Sequence, residues 1–152
     1  MQTEIVQGKK SLLEEILIYS SGVAAGGGLL LLGNFNQTLA DETALGCAIG
    51  VFLGANFYVM PDMASAHKKG LAWREHQRER DTEIPIVESL LGCAIGAFAG
   101  NYFLGANAAI AAGAAGFAIP LGFRYCNNLA GDMIAKTLIV APFMYGLLRI
   151  LS

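Results

Sequence analysis

Ionisable and nucleophilic side chains are few in this chain of 152 residues, and their spacing limits the chemistry open to them. His67 and His76 stand nine residues apart in its most polar stretch, and no Cys-x-x-Cys pair occurs. A metal or redox centre needs clustered ligands, so neither a metal nor a cofactor is expected. A proton-carrying ring subunit needs a carboxylate midway along an apolar helix, where an ionisable group is the default functional hypothesis. The long apolar stretches carry none at mid-length. No nucleophile–base pair can be assembled either, and no enzyme is expected. Glu42 and Glu88 hold matching places ahead of two apolar stretches. They could gate or attract ions. The preferred reading is two carboxylates at helix amino ends, favoured by ~0.3–1 kcal/mol through the helix dipole. Asp41 and Thr43 then become capping candidates.

The elements that position these groups follow from composition. Hydrophobic residues make up 55% and charged residues 14%, against about 25% charged in a soluble domain. Of the 22 charges, 11 fall in residues 61–88. Such sparse, clumped charge cannot coat a soluble surface. Hydrophobicity excludes disorder, and a net charge of −2 excludes a nucleic-acid partner. The chain reads as an all-α membrane protein, one transmembrane helical domain over residues 1–152.

About 20 apolar residues cross ~30 Å of hydrocarbon. Residues 16–35 and 43–60 qualify as spans. Residues 89–123 are uncharged for 35 positions, which at ~1.5 Å each would be about 52 Å, too long for one span. The run must fold back near Asn101, Gly105 and Asn107, giving spans 89–103 and 108–123. Four short glycine-rich helices result. Residues 134–151, with Lys136 and Arg149 near their ends, are open between a fifth span and an amphipathic or re-entrant helix.

Lys9 and Lys10 precede span one, five basic residues follow span two, and Arg124 follows span four. The amino terminus and the 61–88 loop therefore share the positive-inside compartment. Trp73 and Tyr58 fit an interfacial position on that side, and the loop is expected to begin as a helical extension of span two. Glu14 and Glu15 interrupt the apolar region that a cleavable signal would need, so internal targeting is expected.

The sequence ETALGCAIGVFLG at 42–54 recurs as ESLLGCAIGAFAG at 88–100, with nine of 13 positions identical. Glycines fall every four residues, at Gly46, Gly50, Gly54 and at Gly92, Gly96, Gly100, on one helix face. In lipid no hydrophobic force joins helices, and association depends on close backbone approach at such small-residue faces. Gly22 and Gly26 extend the rule to span one; Ala109, Gly113 and Gly116 extend it to span four. A tight bundle is expected, with Leu, Ile and Phe turned outward. The two copies run in opposite directions, as in the inverted repeats of transporters. Their offset maps span one onto the charged loop, which favours two adjacent helices built to one packing rule.

These residues resemble the mitochondrial inner-membrane translocase (Tim) family, whose pattern is four short glycine-rich helices with a basic loop between the second and third. The likeness lies in Arg78-Glu79-Arg80-Asp81 followed by Leu91-Gly92-Cys93-Ala94-Ile95-Gly96. The complex I accessory member of that family is the most similar. The resemblance implies a multi-pass protein of the mitochondrial inner membrane, a non-catalytic accessory subunit acting in the assembly and stability of a respiratory complex. A preprotein translocase component or small-solute channel is the alternative, with Asn56, Asn101 and Asn107 as lining candidates. Cys47 and Cys93 are expected as small core residues, although some family members bridge their helices. Expected partners are other membrane subunits and lipid. The loop's five basic and six acidic residues suit a protein partner better than a lipid surface. Lys68, Lys69, Arg74, Arg78, Arg80 and Asp81 are the docking candidates.

Overall fold

Ser11 opens the first helix with a reciprocal cap: its hydroxyl accepts from the Glu14 N–H at 3.2 Å, and the Glu14 carboxylate accepts from the Ser11 N–H at 2.9 Å. From there the computed structural model describes residues 11–72, 76, 84–125 and 128–151. Among the described residues five long α-helices follow: α1 Leu12–Phe35, α2 Gln37–Lys68, α3 Ile86–Leu104, α4 Ala106–Arg124 and α5 Leu129–Leu151. All five are long and apolar enough to cross a membrane, which makes the chain a multi-pass membrane protein. The segment left open by the sequence is therefore a full helix of 23 residues.

Single residues make the two tightest turns. Asn36 alone joins α1 to α2; its N–H donates to the Leu32 carbonyl at 2.8 Å, and its side chain accepts from the Leu39 N–H at 3.0 Å. Gly105 alone joins α3 to α4 at φ 104°, a conformation that only glycine adopts without strain. The fold-back falls where Asn101, Gly105 and Asn107 mark it. At 32 residues, α2 runs about 48 Å and outreaches the hydrocarbon by about 18 Å. It continues past Pro61, as expected of the loop's start, and closes at Gly70 with φ 65°.

Helices start earlier than hydropathy alone indicates, and this alters several assignments. Asn36 caps α2, so Asp41 and Thr43 do not. Thr43 instead bonds back to the Leu39 carbonyl at 2.7 Å. Glu42 lies beyond the first turn of α2, too far for the amino-end dipole to be its main partner, whereas Glu88 does sit in the first turn of α3.

Two layers build the bundle. Helices α2, α3 and α4 pack as a trio, and α5 lies against α1 while touching α4 and α2. Gly22 of α1 faces Val140 and Gly26 faces Met144, so α1 and α5 run parallel. Ser21 and Thr137 share a hydroxyl hydrogen bond of 2.7 Å between the same helices. The ammonium of Lys136, whose backbone lies at the Gly22 contact, is 5.7 Å from the centre of the Tyr19 ring. The interior is mostly Gly and Ala, with Ile18, Ile119 and Tyr145 among the few large side chains buried there, while Phe35, Phe52, Phe98, Phe103 and Phe143 point outward. Tyr58 differs from its expected interfacial position. It is buried and stacks on Phe123 with ring centres 6.3 Å apart.

A cysteine pair placed at Ser21 and Thr137 should close into a disulfide under mild oxidation, because the native hydroxyls already touch. A mobility shift on non-reducing gels, reversed by reductant, is the expected result. An unshifted band would contradict the α1–α5 packing.

Candidate functional site

The two glycine rows meet on a single line of α4. Gly46 faces the Ala108 carbonyl, Gly50 that of Ala112 and Gly54 that of Gly116. From the opposite side Gly100, Gly96 and Gly92 face the same three carbonyls. Three layers result, each with one residue from each helix: Gly46–Gly100–Ala108, Gly50–Gly96–Ala112 and Gly54–Gly92–Gly116. Helix α2 runs parallel to α4 and α3 antiparallel, so the two copies are related by an approximate two-fold axis. A methyl group on Gly46 would lie 2.5 Å from the Ala108 oxygen, and one on Gly100 would lie 2.6 Å from it. Real Cβ atoms do not come so close. Each glycine presents a Cα–H in that place, a weak donor to the carbonyl. On Gly92 a methyl would lie 3.1 Å from the Gly54 Cα, and on Gly96 3.6 Å from the Gly50 Cα. Helices α2 and α3 thus close toward the end where the long loop leaves.

At that end the row becomes polar. Among the described residues the buried polar and charged side chains are Asp62, His76, Ser89, Arg124 and Asp132, none above 9% exposure. The register that pairs Gly46 with Ala108 places Asp62 level with Arg124 when continued. His76 Nε2 lies 3.5 Å from Asp62 Oδ1 and both side chains are buried, which ties this point of the loop back onto α2. Buried opposite charges hold only when they compensate one another. Sequence reasoning missed this group by counting Arg124 for orientation alone. The readable signal was three charges, Asp62, Arg124 and Asp132, at the margins of apolar runs.

The opposite end carries a second polar group. Arg149, near the end of α5, pairs with Asp41 near the start of α2. The Tyr145 hydroxyl donates to Asp41 Oδ1 at 2.7 Å. Glu42 accepts from the Asn107 amide at 2.8 Å, which bridges the starts of α2 and α4. Below Asp41 and Arg149, an apolar groove of about 1050 Å³ runs between α2 and α5, lined by Leu45, Phe52, Phe123, Ile139 and Phe143 among others.

Against these sites the expected residues sort clearly. Gly22, Gly26, Gly46, Gly50, Gly54, Gly92, Gly96 and Gly100 are all buried at helix contacts. Gly113 is buried too but belongs to a looser contact, its methyl position 3.2 Å from the Ala97 Cβ; the tight row is Ala108, Ala112 and Gly116. Lys68 and Lys69 are exposed at the end of α2. Arg74, Arg78, Arg80 and Asp81 lie outside the described residues, as do Lys9, Lys10, Trp73 and Cys126. Cys47 and Cys93 are free thiols. Cys47 faces the Leu138 carbonyl of α5 at 3.6 Å, whereas Cys93 lies against Gly113 of α4. Asn101 and Asn107 are exposed near the short turn, and Asn56 bonds to the Phe52 carbonyl at 2.6 Å, so the three do not converge on one lining. Comparison with known protein families, curated proteins and solved structures finds no match to this chain.

Replacing Gly50 by Val should destabilise the trio by about 3 kcal/mol or more, beyond the usual 1–3 kcal/mol of overpacking, because the obstacle is backbone. The same change at Gly28, which has nothing within 4 Å, should cost under about 1 kcal/mol. Thermal unfolding in detergent followed by circular dichroism measures both, and equal losses would contradict the layered contact.

Proposed function

We propose that the chain is a non-catalytic structural subunit of a mitochondrial inner-membrane respiratory complex, an accessory subunit of the complex I type, where it acts in assembly and stability. One observation carries the reading. The glycine rows meet inside the bundle, and most of the phenylalanines are left on the outside. Phe52, Phe98, Phe103 and Phe143 are each more than two-thirds exposed. A bundle of this kind offers its surroundings a broad apolar face suited to neighbouring helices and lipid, since membrane helices associate through shape and packing rather than hydrophobic force.

Compartment and host complex rest on the resemblance carried by Arg78 to Gly100. Charge placement supports the same orientation in any membrane. Among the described residues, Lys68, Lys69, Arg124 and Lys136 lie at the loop end, and Arg149, at the other end, is paired with Asp41. The mixed-sign loop then serves as the docking element, with complementary charges fixing register. The translocase or channel alternative needs a polar path. The axis of the trio is filled by touching backbones, and its asparagine candidates are scattered.

Charge reversal of Arg78 and Arg80 to Glu should leave membrane insertion intact and lower the share of protein in the large particle by about tenfold, the effect of losing ~1.4 kcal/mol. Native gels stained for NADH dehydrogenase activity, probed for this chain, read both quantities. Full recovery of the particle with the double variant would overturn loop docking. Migration of the wild-type chain apart from that activity would overturn the host assignment.

A further inference from the structure

Lys136 and Tyr19 are two neighbouring donors on the lipid side of the α1–α5 contact. The parallel register set by Gly22 with Val140 and Gly26 with Met144 puts Lys136 level with Ile18, beside Tyr19. Residues 16–35 are uncharged and span ~30 Å as helix, so hydrocarbon begins between Glu15 and Ile16. The Lys136 backbone therefore lies ~4 Å inside it. Both helices start at the loop end, and helical side chains lean toward the amino end of their own helix. The ammonium and the Tyr19 ring, 5.7 Å apart, thus both lean toward the head-group layer. Tyr19 is exposed. Among the described residues the ammonium meets no carboxylate, and the Tyr19 hydroxyl has no hydrogen-bond partner. Glu15 and Asp132 stand one turn nearer the water on α1 and α5, beyond ion-pair distance of Lys136.

We propose that Lys136 and Tyr19 bind the phosphate of one glycerophospholipid in the leaflet on the loop side, ammonium and hydroxyl both donating to its oxygens. An ammonium rooted in hydrocarbon needs a counter-charge, and it reaches the membrane surface along its own alkyl stem. Lipid phosphate is the acceptor that lies at that depth. The two donors are held in place. Gly22 brings the backbones of α1 and α5 together, and the 2.7 Å bond between Ser21 and Thr137 ties the helices beside both donors. Donors fixed in advance lose little freedom on binding. Val23 and Ile139, exposed and one turn deeper on the same faces, supply the apolar surface for an acyl chain. The Glu15 carboxylate, one turn above Tyr19, favours a zwitterionic head over one with added negative charge. The site needs only the α1–α5 packing and not the assembly role, so either can fail without the other.

Three variants test it. Lys136→Met keeps the stem and removes the charge, Lys136→Arg keeps the charge, and Tyr19→Phe removes only the hydroxyl. The full chain in mild detergent is titrated with dioleoylphosphatidylethanolamine and, separately, with dioleoylglycerol. Native mass spectrometry counts bound lipid, and circular dichroism checks helicity. The wild type should hold one phosphatidylethanolamine, and Lys136→Arg should stay within about threefold of it. Lys136→Met should bind at least about tenfold more weakly and Tyr19→Phe at least about threefold. Dioleoylglycerol should bind the wild type at least about tenfold more weakly than phosphatidylethanolamine. Excess inorganic phosphate should leave the bound lipid in place. Wild-type affinity in a helical Lys136→Met, or in Tyr19→Phe should the first variant unfold, would overturn the site. Equal binding of dioleoylglycerol would overturn phosphate recognition, and displacement by inorganic phosphate would overturn the lipid as its source.

Discussion

Six glycines on two helices face three carbonyls of a third, and the architecture depends on that approach. Side chains normally keep helix axes 8–10 Å apart. Here the spacer atoms are absent from α2 and α3 at each contact, and α4 can carry alanine in two of the three layers because its partners reach its carbonyls rather than its methyls. The third layer, Gly54–Gly92–Gly116, has glycine from all three helices, and Gly116 itself faces the Gly92 carbonyl. The two copies of the repeat are alike because each must fit the same line from opposite sides. Lipid makes the arrangement tenable. The ~1 kcal/mol that glycine costs a helix in water is eased where no water competes for the backbone.

That contact was legible in the sequence because a four-residue glycine period repeated in two copies has few other physical uses in a membrane helix. The matching line on α4 was not. Ala108, Ala109, Ala112, Gly113 and Gly116 are all small, so spacing cannot choose between adjacent faces, and only the partners' register selects Ala108–Ala112–Gly116. Hydropathy also marks the part of a helix that lipid covers and not the helix itself. For that reason α2 begins at Gln37, six residues before its apolar stretch, and Asp41 and Glu42 become side chains within a helix instead of its cap.

The charges on α5 obscured its nature for a related reason. Lys136 and Arg149 look costly in a span until their neighbours are known. Lys136 stands over the Tyr19 ring and Arg149 meets Asp41 and Tyr145, so α5 is attached to α1 at one end and to α2 at the other. The buried group that holds Asp62 and His76 was hidden likewise, since a contact between the loop and α2 leaves no trace in local sequence.

The second layer obeys the same rule as the first, and the groove follows from it. Gly22 and Gly26 let α1 come close to α5, but the glycine face of α2 is already spent on α4. Toward α5, α2 offers Leu45, Val51 and Phe52, and the Tyr145 ring stands between the helices with its hydroxyl on Asp41. Leu45 and Phe52 stand along the groove, while beneath the polar contact Cys47 still meets the Leu138 carbonyl at 3.6 Å. A cleft opening onto hydrocarbon cannot stay empty. Its shape is thus set by where small residues were placed elsewhere in the bundle.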